Sequence, residues 1–93
     1  MMKPVNSILI NEADNVATTI VELQPGDVAR YQARGEIVEI EITEPIPRFH
    51  KFAVLDIRKN ELILKYGEVI GQAVHDIGKG SHVHVHNIAS PGR

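Results

Sequence analysis

Three seven-residue stretches share one pattern: Ile20-Val-Glu-Leu-Gln-Pro-Gly26, Val54-Leu-Asp-Ile-Arg-Lys-Asn60 and Val74-His-Asp-Ile-Gly-Lys-Gly80. Each runs β-branched, any, acid, apolar, two variable residues, then Gly or Asn. The acid can accept hydrogen bonds from backbone N–H groups of the turn that follows. The last position tolerates φ > 0. The apolar residues at both ends pin the turn to a core. Three such strand–turn–strand units suit a compact, irregular β fold. Their spacing is uneven, so the chain is no solenoid. Chance recurrence of common turn residues is the competing explanation.

The rest of the sequence points the same way. Ile and Val number 22, against five Leu and seven Ala. Stiff β-branched side chains pack well on a pleated surface. Strands are predicted at 6–10, 16–23, 36–42, 52–57, 61–66, 69–73 and 82–88. A one-turn helix near Asp14 competes with the second, because Ala13, Val16, Ala17 and Ile20 have helical spacing. Glu36–Ile42 reads as a strand with one face solvated. Gln24–Asp27, Gly35, Asn60, Gly67 and Gly78–Gly80 read as turns, and Pro45-Ile-Pro47 as an internal connection. Gly67 and Gly71 read as hairpin or bulge positions. No segment holds a helical period. A chain of 93 residues suits one domain, residues 1–93, with its core at about 7–88 and a frayed tail at 89–93. Four aromatics and no Trp leave a small aliphatic core, so a partner is expected.

Composition excludes several classes. Without cysteine there is no disulfide scaffold, Cys-based zinc site, iron–sulfur centre or thiol nucleophile, which fits a reducing cytoplasm. No apolar run is long enough for a transmembrane helix, and the first residues lack a secretory h-region. Residues 1–46 carry a net −5 and residues 47–93 a net +3, with all five histidines in the second half. An anionic ligand is expected there. Nucleic acid is not, because there is no basic run and little aromatic surface for stacking.

His82-Val-His-Val-His86 is the most informative short string. On a strand its three histidines would share one face. A His-x-His pair can share a metal ion, but three from one straight strand would be strained, so His50, His75, Asp76 or a partner's carboxylate would have to contribute. A solvated histidine face is the alternative. His50-Lys51 and Lys65-Tyr66 bring two ammonium groups, an imidazole and a phenol near loops. Such groups can hold a carboxylate or sulfonate and move protons; ordinary surface charges are the plainer reading. Asp14-Asn15 is locally a turn or an N-cap.

Five strings in order resemble the SAF-type domain of the altronate dehydratase family: Asp14–Ala17, His50–Ile57, Lys65–Gly71, Asp76–Gly80 and His82–Asn87. The family includes altronate and galactarate dehydratases and sulfolactate sulfo-lyases. The resemblance implies a mostly β, β-clip (SAF-like) fold of short hairpins and bent strands with little helix. It implies a lyase that removes water from an acidic sugar, or sulfite from sulfolactate, and a divalent metal, iron or manganese. In some members the domain precedes a much larger catalytic region; in others it is a separate small subunit. This chain stops just after the His-rich segment and reads as the latter, although a fragment of a fused enzyme would look the same. Galactarate-type members lack the His-x-His-x-His ending, which sets this chain nearer the altronate and sulfolactate branch.

The expectation is therefore the small subunit of a metal-dependent hydro-lyase, inactive alone. Its partners would be a large catalytic subunit and an acidic sugar or hydroxy acid; a homo-oligomer is left open. His50 and Lys51 are expected to be catalytic. Asp14, Asn15, Lys65 and Tyr66 are expected to bind substrate. His82, His84 and His86 are expected at a metal shared with the large subunit. Two alternatives stand: a non-catalytic SAF binding or assembly module, and a metal-buffering protein built on the His triplet.

Overall fold

A computed structural model describes residues 4–91. Met1–Lys3 and the last two residues of the expected frayed tail lie outside the described residues. Among those described there is no helix. Nine strands form three antiparallel sheets: β1 (Ser7–Ile8), β2 (Val16–Thr19), β3 (Val28–Ala33), β4 (Glu36–Glu41), β5 (Lys51–Ala53), β6 (Leu62–Lys65), β7 (Glu68–Ala73), β8 (His82–Val83) and β9 (Ile88–Ala89). The central sheet has the order β1-β2-β5-β8, and it is flanked in the fold by the β3-β4 hairpin and the β6-β7-β9 sheet. This is the mostly β architecture of short hairpins and bent strands expected from the sequence.

The heptapeptide pattern proves to be structural, and it occurs four times. The fourth copy is Thr43-Glu-Pro-Ile-Pro-Arg-Phe49, hidden because Pro45 replaces the acid and Phe49 replaces Gly or Asn. All four last residues have positive φ: Gly26 at 93°, Phe49 at 68°, Asn60 at 74° and Gly80 at 89°. The copies pair, with Leu23 bridging Ile46 and Ile57 bridging Ile77. Each bridge has two backbone hydrogen bonds of 2.7–3.0 Å. In the second pair the acids exchange turns: Asp56 accepts from the Lys79 N–H, and Asp76 from the Lys59 N–H. The expected cap therefore exists in this pair, with each acid serving its partner's turn, whereas in the first copy Asp27 rather than Glu22 accepts the Gln24 N–H.

The two pairs anchor two apolar clusters. Leu23 and Ile46 pack with Ala17, Ala29, Tyr31, Ile40, Ile42 and Phe52. Ile57 and Ile77 pack with Val16, Ala53, Ile63, Ala73 and Val83. Strands β2 and β5 lie between them, because successive strand residues point to opposite faces. Val16 pairs with Ala53 on one face, and Ala17 with Phe52 on the other.

Four sequence expectations change. Val28–Ala33 lies in no expected strand, yet it forms β3 against β4, paired residue for residue from Val28–Glu41 to Ala33–Glu36. The helical spacing after Asp14 gives no helix, because strand pairing to β1 and β5 satisfies that backbone. The strand from Val16 stops at Thr19 rather than running on to Leu23. The His-rich strand stops at Val83, and residues 84–87 form a turn before β9. Arg34-Gly35 and Tyr66-Gly67 both have paired positive φ, the geometry of two-residue hairpin turns whose twist matches the strands. The β6–β7 hairpin also carries a register shift at Ile63/Leu64.

Candidate functional site

Three asparagine amides build the framework of the site. A planar amide offers one donor and one acceptor side by side, so it can pair with a strand's C=O and its N–H two residues on, as a neighbouring strand would. Asn6 holds the Val28 C=O and the Arg30 N–H. Asn15 holds the Leu62 C=O and the Leu64 N–H. Asn87, 2% exposed, holds the His82 C=O and the His84 N–H. In each case the clamped carbonyl lies two residues past a positive-φ turn position.

The histidines meet through this framework. His50 leaves the fourth turn, donating its N–H to the Pro47 C=O. His82 sits on β8 opposite Phe52, and its N–H donates to the Glu44 carboxylate at 2.7 Å. His50 Nδ1 and His82 Nε2 share a hydrogen bond of 2.9 Å. The His84 ring stacks on His50 with centroids 4.4 Å apart. One ligand nitrogen from each of His50, His82 and His84 lies within 4.8 Å of the others. His86 lies outside this trio and packs its ring 5.2 Å from that of His82. The trio thus draws on His50 across the sheet, and a turn at His84–Asn87 replaces the straight strand on which all three histidines of the string would share a face. His75 and Asp76 are spent elsewhere: His75 Nδ1 meets the Asp76 C=O, and Asp76 caps the Lys59 turn.

Two of the histidines are shifted toward their neutral form. Burial lowers the pKa of His82, reinforced by His50, His86 and His84 and opposed by Glu44. Desolvation also lowers His84, with His50, Lys51 and His86 adding to it. A metal requires neutral imidazole, so these shifts suit ligation. Nitrogen spacing of this size lets three rings converge on one ion with small rotations, at metal–nitrogen distances of about 2.0–2.1 Å for zinc-type sites. The donor set therefore fits a divalent metal.

Beside the cluster, Lys51 is half-buried on β5. Burial lowers its pKa, and the nearby Lys65 ammonium lowers it further. Lys65 ends β6 with Nζ 4.9 Å from the centroid of the Tyr66 ring. Asp14, 4% exposed, works inside the chain. Its carboxylate accepts N–H bonds from Asn11, Tyr66 and Gly67 at 2.8–3.1 Å. Asn15 is likewise engaged with β6. The structure thus brings His50, Lys51, His82, His84 and Lys65 into one neighbourhood and puts Asp14 and Asn15 behind the Tyr66 hairpin. Asn87 and Glu44 were missed as site residues. No local pattern marks Asn87, because the amides that clamp Val28 and Leu62 come from Asn6 and Asn15, far away along the chain.

Comparison with known proteins bears on this arrangement. The family profile of the altronate/galactarate dehydratase SAF domain matches residues 5–91. Altronate dehydratase of Bacillus subtilis (strain 168) is 44% identical over 80 residues, covering 86% of this chain and 15% of that protein. Galactarate dehydratase (L-threo-forming) of Escherichia coli (strain K12) is 46% identical over 76 residues, 82% of this chain and 14% of that protein. The (2R)-sulfolactate sulfo-lyase subunit alpha of Chromohalobacter salexigens is 41% identical over 84 residues, 86% of this chain and 89% of that subunit. The chain thus spans about 15% of the altronate dehydratases it matches and nearly all of a sulfo-lyase subunit. With a profile match over almost every described residue, the chain belongs to the altronate/galactarate dehydratase SAF domain family.

Proposed function

We propose that this chain is the small subunit of a metal-dependent lyase acting on an acidic sugar or a sulfonated hydroxy acid in the cytoplasm. The observation that carries the reading is the His50–His82–His84 trio standing beside Lys51 and Lys65. The reaction class removes a proton α to a carboxylate and expels a β substituent, water or sulfite. Lys65 would pair its Nζ with the substrate carboxylate. Lys51, with its pKa lowered, has a larger neutral fraction than an ordinary lysine and can take up the α proton at Nζ. Asp14 positions Tyr66 at the rim through its N–H. His50, His82 and His84 would hold the ion, and iron or manganese there would supply Lewis-acid stabilisation of negative charge on the substrate carboxylate. His86 would reach substrate or partner from the edge. A large catalytic subunit would complete the site.

The test is to co-express this chain with a dehydratase-type large chain sought in the same genome. Altronate, galactarate and sulfolactate are then assayed for elimination, and bound metal is measured. The complex should turn over one of the three, and the small chain alone none. His84→Ala should lower metal content and turnover at least about tenfold. An active complex whose metal content and turnover ignore His84→Ala would overturn the site. Tight binding of an acid sugar by the small chain alone, with no complex formed, would favour a binding module instead.

A further inference from the structure

The four turns have the same backbone but not the same residue at the strained position. In each, the positive-φ residue donates its N–H to a carbonyl in or next to a strand: Gly26 to Ile42, Phe49 to Thr19, Asn60 to Ala73 and Gly80 to Ala53. Gly and Asn adopt this left-handed conformation readily, whereas an aromatic residue does so at a cost. Phe49 recovers little of that cost by burial, being 61% exposed. The Arg48 guanidinium covers its ring, with the guanidinium carbon 4.5 Å from the centroid. A bulky residue held in a strained conformation and left in solvent is an observation that points from strain to function.

Its position says what the function is. Phe49 precedes His50, so the backbone that orients the ring also orients the first histidine of the trio. Two other exposed apolar side chains adjoin site residues: Tyr66 beside Lys65, and Val85 between His84 and His86. Each of the three is the chain neighbour of a site residue, Phe49 of His50, Tyr66 of Lys65 and Val85 of His84 and His86. Aromatic and arginine side chains together are the usual composition of an interface hot spot. The altronate dehydratases supply the candidate occupant, since about 85% of each lies outside the matched segment.

We propose that Phe49 is an aromatic anchor that seats the catalytic region of the lyase over the histidine cluster, with Arg48 paired to a carboxylate at the edge of an apolar socket on that partner. The inference rests on the lyase reading and adds to it the residue on which docking turns. Phe49 is not a catalytic residue; it places the partner.

The experiment compares the full chain with Phe49→Asn and Phe49→Tyr, each titrated against the large dehydratase-type chain from the same genome and each melted alone. Phe49→Asn should keep or raise the melting temperature, because Asn60 occupies the equivalent position at a similar φ. It should weaken association at least about tenfold, while Phe49→Tyr stays within about threefold of wild type. Association of Phe49→Asn within threefold of wild type would overturn the anchor. So would a clear fall in its melting temperature, which would make Phe49 a folding residue. If the wild-type chain does not associate at all, the lyase-subunit reading fails and takes this inference with it.

Discussion

Asn87 holds the His82 C=O and the His84 N–H with a single amide, and so fixes where both rings leave the backbone. The same device at Asn15 ties the N-terminal loop to β6, and Asp14 beside it holds the Tyr66 turn. The backbone around the site is thus oriented by side-chain hydrogen bonds from Asp14, Asn15 and Asn87. The histidines themselves carry a stability consequence. In the folded chain His82 and His84 have pKa values below their ordinary one, chiefly through burial. As pH falls below about 6.5, the unfolded chain therefore takes up these protons first. The stability linked to the two groups is present above that pH and is lost as pH falls through their folded values. The melting temperature should drop between pH 7.5 and 5, and His82→Gln should flatten the slope. An unchanged slope in that variant would contradict neutral packing of the cluster.

Among the elements, the repeated turn is both a local motif and a joint. Gly26 and Gly80 have nearly the same φ, yet a methyl at Gly26 meets nothing within 4 Å. A methyl at Gly80 would sit well inside contact distance of the Glu41 carbonyl oxygen. Gly80 also accepts the Thr43 N–H, so this turn joins the β4 end to the histidine segment. Gly26→Ala should cost about 1–2 kcal/mol, the price of the left-handed conformation alone. Gly80→Ala should cost more, about 3 kcal/mol or above, since backbone must also move. Denaturant unfolding of the two variants checks the order; equal losses would mean the joint yields freely.

For the whole molecule, two apolar clusters share one pair of strands. Phe52 and Ala53 are adjacent in β5 yet belong to different clusters. A disturbance in either cluster therefore reaches the other through the same backbone, and unfolding should be one cooperative step. Ile46→Val and Ile77→Val, one in each cluster, should each cost about 0.5–1.5 kcal/mol and shift the same transition. Two separable transitions would show that the halves fold independently. The described residues extend 47 × 26 × 19 Å, which leaves much apolar surface facing solvent for so short a chain. That surface is what a partner would cover.

The sequence by itself determined the β class, three of the four turns, and the candidate histidines and lysines. Those properties are local: β-branched content, Gly or Asn at positive φ, and residue chemistry are all written at single positions. The fourth turn was hidden because Phe49 breaks the residue rule while keeping the backbone rule. β3 was hidden because its strand state comes from pairing with β4 rather than from its own apolar content. Only the tertiary structure brought His50 to His82 and His84, left His86 aside, and turned Asp14 and Asn15 inward to serve the backbone. The reason is distance along the chain. His50 and His82 are 32 residues apart, and no local pattern encodes which β5 residue faces which β8 residue. That register follows from the packing of Ala53 and Val83 in one cluster and of Phe52 in the other, which exists only once the sheets have closed.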